Sequence, residues 1–394
     1  MSDTSRPGPL PGPLAGIRII DMSTVVLGPF ATLILADLGA EVIKIEPPGR
    51  GDMMRGAGPT PVEGVGPIYM ALNRNKRSIE LDAKTPEGKD ALTELLKTAD
   101  VFFHNVRLAG MERLGFGYDE VKALSPGIVY VHCAGFGQGG PYELRQAYDD
   151  LIQGASGFAD LNAIRSGGRP EYAPSLVADK TVGLFATYAA LAALVHKAKT
   201  GEGQFVQVPM LECFTFFNMV ENLYGETFIP ARGKLAYTRS VNPNRRPYPT
   251  LDGYIGLVPY SDEQWEKFFA IGGKPDVFRD PRFSTYKART ENTGALYALI
   301  EEVAATRTTD EWLVLLDEAN IPAMRYNTLP EVLTDAHLVA TDFFQQVTAP
   351  GLGTYRAMRH PVMFSETPAN SQRLPPPQLG ADTQTVLESL GLGG

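Results

Sequence analysis

Short apolar runs alternate with helical segments through the first third of the chain. The order is IRIID at 17–21, a helical stretch through Ala31, Leu33, Leu35 and Leu38, EVIKIE at 41–46 and SIELD at 78–82. A helix from about Pro86 to Thr98 follows, then VFFHN at 101–105, a short helix near 118–124 and IVYVHC at 128–133. Continuous apolar strands belong to sheets covered on both faces, and parallel neighbours need helical crossovers. The predicted fold class is therefore α/β, with a Rossmann-like, doubly wound, mostly parallel sheet. Thr85 before Pro86 marks a helix start, a cap followed by proline at the first helical position. The turn after the first strand reads STVVLGP and carries no GxGxxG, which disfavours a nicotinamide or flavin dinucleotide.

A chain of 394 residues exceeds the usual single core. Between about 225 and 250 it turns to Pro, Gly, Asn and Arg (IPARGKLAYTRSVNPNRRPYP), the signature of an exposed connection. Beyond it come a strand YIGLVPY at 254–260, a helix after Asp262, and another opened by the capping box Thr308 and Glu311 before Trp312. The expected organisation is a large domain from 1–225, a smaller α/β domain with its linkers over 226–339, and a return to the large domain over 340–394. That return ends in a short helix near Thr385–Leu390.

Charge and motifs exclude several functions. A formal charge of −9 argues against nucleic acid or an anionic membrane as partner. Residues 1–14 lack a basic region and an apolar run and read as a flexible leader. The longest apolar stretch, 182–195, falls short of the ~20 residues of a bilayer span. Cys133 and Cys213 have no CxxC spacing and fit reduced core thiols of a cytoplasmic protein. The five histidines (His104, His132, His196, His337, His360) show no paired metal spacing, so no metal site is expected. His104 and His132, at strand ends, read as satisfied structural imidazoles or as an acid/base pair. GxSxG and P-loop sequences are absent. Lys76, Arg77, Lys84, Arg107, Arg113 and Arg145 fall near strand ends, where they either cradle phosphates or form a solvated basic face.

One carboxylate stands apart. Asp179 precedes a helical run with apolar residues at Val182, Phe185, Tyr188, Ala189, Ala192 and Val195, close to the period of a core-facing stripe. Lys197, Lys199 and Gly201 form its stop. Asp179 is therefore expected at the positive end of the helix dipole, which favours the ionised form. It is either an N-cap or a nucleophile.

The order of several segments resembles the class III CoA-transferases, the CaiB/BaiF or formyl-CoA transferase-like family, nearly end to end. They are LAGIRIIDMS at 14–23, GPFATLILADLGAEVIKIEPPGRGD at 28–52, NRNKRSIELDAKTPEG at 73–88, ADVFFHNVRLAGMERLGF at 99–116, GFGQGGPY at 135–142, AYDDLIQGASG at 147–157, KTGEGQFVQVPM at 199–210 and the closing PPPQLGADTQTVLESLG. The resemblance implies a large Rossmann-like domain and a small α/β domain in an interlocked homodimer. It also implies transfer of CoA from an acyl-CoA thioester to a free carboxylic acid, with Asp179 as the nucleophile that carries an aspartyl-CoA intermediate. Acyl-CoA is then a substrate, and no tightly bound cofactor is expected.

The same resemblance implies the CoA contacts. Leu81, Lys84, Asn105, Arg113 and Tyr148 match the family's types, and Leu27 and Val106 join them by position. Val26, Pro47 and Gln146 depart from the formyl-CoA enzyme, which has Gln, Arg and Lys there, so phosphate contacts are expected to shift to Arg107 or Arg145. That enzyme's glycine-rich loop has no counterpart in SVNPNRRPYP at 240–249, which makes formate and oxalate poor candidates for the acids. Tyr237, Arg239, Arg245 and Arg246 on this segment would bind the second carboxylate of a dicarboxylic acid, unless they are merely solvated. The alternative within the fold is an acyl-CoA racemase or isomerase, including intramolecular CoA transfer. Racemases place a His where this chain has Tyr148 and a Glu where it has Pro249. Tyrosine is a poor base near neutrality and proline is none.

Overall fold

The structure is a computed structural model that describes residues 12–60 and 62–392; most of the expected leader lies outside the described residues. Six strands build the central sheet: β1 (Arg18–Met22), β2 (Glu41–Glu46), β3 (Lys76–Glu80), β4 (Val101–His104), β5 (Val129–Ala134) and β6 (Phe205–Pro209). Their order is β3-β2-β1-β4-β5-β6, and every pairing is parallel. Ile19, Ile20, Val101, Phe102, Phe103 and Val131 are fully buried, which explains why these strands read as unbroken apolar runs. The chain winds outward from β1 to β3 and returns through helix Pro86–Lys97 to β4, so the crossover direction reverses between β1 and β4. Thr85 caps that helix, its hydroxyl accepting from the Gly88 amide at 3.0 Å.

Two compact units result. The first holds the chain up to Ser156, Ala173–Phe217 and everything from Val339 onward. Its last part adds the hairpin of strands Phe344–Ala349 and Gly353–Met358, and helix Thr383–Ser389. Asp382 accepts from the Ser78 amide of β3 at 2.9 Å, and Val386 enters the core beside it. The second unit is Gly157–Tyr172 with Asn218–Leu338. In it β7 (Tyr248–Pro249), β8 (Tyr254–Leu257) and β9 (Ala323–Arg325) form an antiparallel sheet. Phe268, Ile300, Trp312 and Leu316 fill the core against it. The Thr308/Glu311 capping box is present, and Ser261/Gln264 forms a second one.

The long helix corrects one expectation. It spans Val177–Thr200 and ends at Gly201 in the left-handed conformation, but its core face is Ala178, Val182, Ala186, Ala190, Ala193 and Leu194. Of the expected stripe only Val182 is buried; Tyr188 is 57% and Val195 54% exposed. Close packing on helix Leu27–Asp37 is the reason. A Cβ on Gly183 would meet the Leu27 carbonyl oxygen and the Phe30 ring at 2.9 Å, so only small residues fit this face and the bulky ones turn outward. At 24 residues the helix is also longer than its apolar run suggested, enough by length and composition alone to cross a membrane, yet this face lies in the protein core.

Beneath the turn after β1 lies a cluster of buried charges. Lys44 donates to Asp52 at 3.0 Å and to the Ser23 carbonyl at 2.7 Å, and both ion-pair side chains are fully buried. Lys76 is likewise buried, donating to Thr32 at 2.8 Å, Asn73 at 2.9 Å and Asp21 at 3.4 Å. Arg55 pairs with Glu46 at 2.6 Å. Burial acts to raise the Asp21 carboxyl, but Lys76, Lys44 and the Ser23 and Thr32 hydroxyls outweigh it and hold it below its ordinary value. Burial draws the Lys76 ammonium down to about 8 against the pull of Asp21. Lys76 is thus neither a phosphate ligand nor part of a solvated face.

Removing one partner of such a pair strands the other charge. Lys44→Met is expected to cost about 3–5 kcal/mol in urea unfolding. Lys44→Met combined with Asp52→Leu should recover part of the loss, a coupling that a double-mutant cycle measures.

Candidate active site

Asp179 sits in the third residue of the long helix, whose N-cap, Leu176, offers no capping side chain. The cap comes from elsewhere in the first unit. Asp149, at the start of helix Asp149–Ala155, accepts the Asp179 amide at 2.9 Å through Oδ1. Its Oδ2 accepts from Gln153 Nε2 at 2.6 Å, and Gln153 Oε1 accepts the Ala173 amide at 2.8 Å. Asp149 and Gln153 are 4% and 0% exposed, so this brace fixes where the helix begins.

The brace also reverses the electrostatic expectation. With Leu176 at the N-cap position, Asp149 takes the Asp179 amide of the helix's first turn, and burial, then the Asp149 charge, pushes the Asp179 carboxyl up to about 7. Asp179 is thus not the N-cap, and near neutrality it is divided between its acid and carboxylate forms.

Asp179 lines a cavity of about 320 Å³ in the first unit. The other walls come from Thr24–Leu27 after β1, Asn105 and Arg107 after β4, Cys133–Gly135 at the end of β5, Arg145–Tyr148, and Met210 after β6. These are carboxyl ends of strands beside the reversal between β1 and β4, where open α/β sheets bind ligands. Two features shape the cavity. Asn105 clasps Thr24, accepting its amide at 3.1 Å and donating to its carbonyl at 3.0 Å. Val25 holds φ at 75°, a costly value for a β-branched residue, with its amide 3.3 Å from both Asp52 oxygens. Gly135 admits the opposite wall, since a Cβ there would lie 2.4 Å from that of Ala147.

Of the residues expected to contact CoA, the cavity brings together Val26, Leu27, Asn105, Arg107, Arg145, Gln146 and Tyr148. Four lie outside its lining. Leu81 is buried in the core, and Val106 packs against the core with its carbonyl accepting from or facing His104 Nδ1 at 3.1 Å. Lys84 is exposed in the turn before Pro86, and the exposed Arg113 donates to Ala109 within its own helix. Arg77 pairs with Glu41 and Asp382. Among the described residues neither Arg107 nor Arg145 has an ion-pair partner; Arg145 lies over the Tyr142 ring at 4.6 Å.

Other reactive side chains are held neutral. Cys133 and Cys213 are free; burial pushes the Cys133 thiol far up and the Cys213 thiol to about 11, so neither supplies a thiolate near neutrality. Burial lowers His104, and draws His132 down to about 4. Their rings lie 5.0 Å apart, and each leaves one nitrogen without a partner, so the expectation of fully satisfied imidazoles is not met. Among the described residues no cluster of His, Cys, Asp or Glu is placed to hold a metal ion. Sequence reasoning missed Asp149 and Gln153. The signal was the YDDLIQ run, with two acids in a helix's first turn.

Known proteins of similar sequence and structure identify the family. The chain is 33% identical to a succinate–glutarate CoA-transferase from Agrobacterium fabrum, covering 96% of each protein. It is 32% identical to a succinyl-CoA–D-citramalate CoA-transferase from Chloroflexus aurantiacus, over 91% of this chain and 89% of that one. The crystal structure of a CaiB/BaiF family protein from Brucella suis superposes with a TM-score of 0.80 at 30% identity, covering 96% of this chain and all of the other. The profile of CoA-transferase family III matches residues 14–383, and the α/β sheet and the relatives agree with it: this chain belongs to CoA-transferase family III.

Proposed function

We propose that Asp179 is the nucleophile through which this CoA-transferase moves CoA from an acyl-CoA to a free carboxylic acid. The observation that carries the reading is a lone acid in its cavity: among the described lining residues Asp179 is the only carboxylate, it titrates near neutrality, and Arg107 and Arg145, without ion-pair partners among the described residues, line the same cavity. A carboxyl raised to about 7 is both substantially ionised at physiological pH and more basic than an ordinary aspartate.

The steps balance as follows. An Asp179 oxygen attacks the thioester carbonyl, the C–S bond breaks, and CoA leaves as a thiolate from an aspartyl–acyl anhydride. The thiolate attacks the aspartyl carbonyl, forming aspartyl-CoA and releasing the donor acid, which carries away one Asp179 oxygen. The acceptor carboxylate attacks aspartyl-CoA and expels the thiolate. The thiolate then takes the new acyl group, and Asp179 is restored with one oxygen from the acceptor. Walls made by Val26, Leu27 and Met210 limit water, which would hydrolyse either intermediate.

Arg107 and Arg145 supply charge for the CoA phosphates, with Asn105, Gln146 and Tyr148 along the pantetheine. Lys84 and Arg113, beyond the cavity with Leu81 and Val106, serve the nucleotide end. No tightly bound cofactor takes part. The enzyme acts in the cytoplasm as an interlocked homodimer. In support of the dimer, Leu184, Tyr188, Val195, Phe216 and Phe217 leave an apolar surface exposed on the single chain.

Two outcomes test this. Incubation with succinyl-CoA and no acceptor should leave a CoA adduct on the Asp179 peptide in mass spectra, and Asp179→Ala should lose the adduct and at least about 10³-fold of kcat. An Asp179→Ala variant that keeps transferase activity would sink the reading.

The pH dependence follows from the raised carboxyl. Adduct formation needs the carboxylate, so its rate should rise with pH and reach half-maximum near 7. Asp149→Asn removes the charge contribution but not the burial, and should move that midpoint downward. Because the folded carboxyl lies above its unfolded value of 3.8, the folded state binds more protons between about 4 and 7. Stability therefore falls as pH rises through that window. Asp179→Asn should raise the melting temperature at pH 8 by on the order of 2–4 °C, and the gain should shrink toward pH 5.

A further inference from the structure

The second unit contains a cavity of its own, about 330 Å³, between the segment carrying Tyr237–Tyr248 and helix Thr293–Ala304. Four guanidinium groups line it: Arg239, Arg245, Arg246 and Arg289. Two are neutralised locally. Arg246 holds Glu301 through three contacts of 3.0–3.3 Å, and the buried Arg289 pairs with Asp262 and donates to the Phe283 carbonyl at 2.8 Å. The other two are not. Arg239 donates to the Tyr297 hydroxyl at 2.9 Å, and among the described residues neither Arg239 nor Arg245 has a carboxylate partner. No acidic residue is among the described lining residues.

The segment is braced, unlike a free linker. The Arg245 carbonyl accepts from Arg165 at 3.0 Å, the Asn244 side chain donates to the Gly294 carbonyl at 3.1 Å, and the Tyr237 amide donates to Asn222 at 3.1 Å. The two unspent guanidiniums therefore hang from fixed backbone over one hollow. The same lining includes apolar and aromatic side chains, Leu257, Trp265, Leu296 and Ile300.

We infer that this cavity binds the carboxylate of a small organic acid through Arg239 and Arg245 and its hydrocarbon body against Leu257, Trp265, Leu296 and Ile300. Planar guanidinium forks match a carboxylate in bidentate geometry. A phosphate would find the same charges but would leave the apolar wall unfilled. The size, a few hundred cubic ångströms, suits a ligand of this kind. The inference stands on this cavity alone and does not require Asp179 to be the nucleophile.

Calorimetry on the Asp179→Asn protein, which blocks the proposed turnover, separates the two. Butanoate, hexanoate and glutarate are titrated against inorganic phosphate, ADP and CoA, with Arg239→Gln and Arg245→Gln as variants. The expected result is that hexanoate binds more tightly than butanoate by roughly fourfold per methylene. Each arginine variant should weaken acid binding at least about tenfold while leaving CoA binding unchanged. Arg245 is exposed, so its variant should fold even if Arg239→Gln does not. Phosphate or ADP binding more tightly than the acids, no gain with chain length, or indifference to Arg245→Gln would each overturn the inference.

Discussion

Three positive and three negative side chains buried under the first strand's carboxyl end are the constraint on which the crevice depends. Taking Lys44, Lys76 and Arg55 out of water is costly unless each charge meets an opposite one and its remaining donors find acceptors. Asp52, Asp21 and Glu46 meet that condition, with Ser23, Thr32, Asn73 and Tyr69 completing the network. The arrangement does more than balance charge. Lys44 grips the Ser23 carbonyl and Asp52 faces the Val25 amide, so the pair holds a strained turn that no propensity would choose. Residues 24–27 then line the cavity, and Asn105 locks them to β4.

A second constraint sets the chemistry. The positive end of the long helix would ordinarily stabilise a nearby carboxylate. Here its amide at position 179 is given to Asp149, which Gln153 holds in turn. Asp179 is left with burial and a like charge, and both act in the same direction. One carboxylate is structural and the other is poised to titrate near neutrality, a division made by the amide's hydrogen bond to Asp149 together with burial and the like charge. The neighbouring thiol, Cys133, is pushed the other way from reactivity by the same burial.

Much of this architecture was legible in the residues, and for physical reasons. Strands buried on both faces leave continuous apolar runs, and caps such as Thr85 and Thr308 leave side chains whose geometry is local. The burial stripe of Val177–Thr200 was not legible, because Phe185, Tyr188 and Val195 satisfy the helical period as well as Val182, Ala186 and Ala190 do. Only the close approach of helix Leu27–Asp37 at Gly183 decides between the faces. Asp149 escaped notice because its partner lies 30 residues away. Lys76 looked like a surface cation because a lysine in a strand carries no sign of the aspartate beneath it.

The account's central claim is that Asp179 itself carries CoA between the two acids, and oxygen bookkeeping tests it most directly. With ¹⁸O in both carboxylate oxygens of the acceptor acid, each turnover should deposit one labelled oxygen in the Asp179 side chain. Mass spectrometry of the Asp179 peptide should find it, and the next donor acid released should carry label away. Acyl-CoA produced at full rate with an unlabelled Asp179 and an unlabelled donor acid would contradict the account.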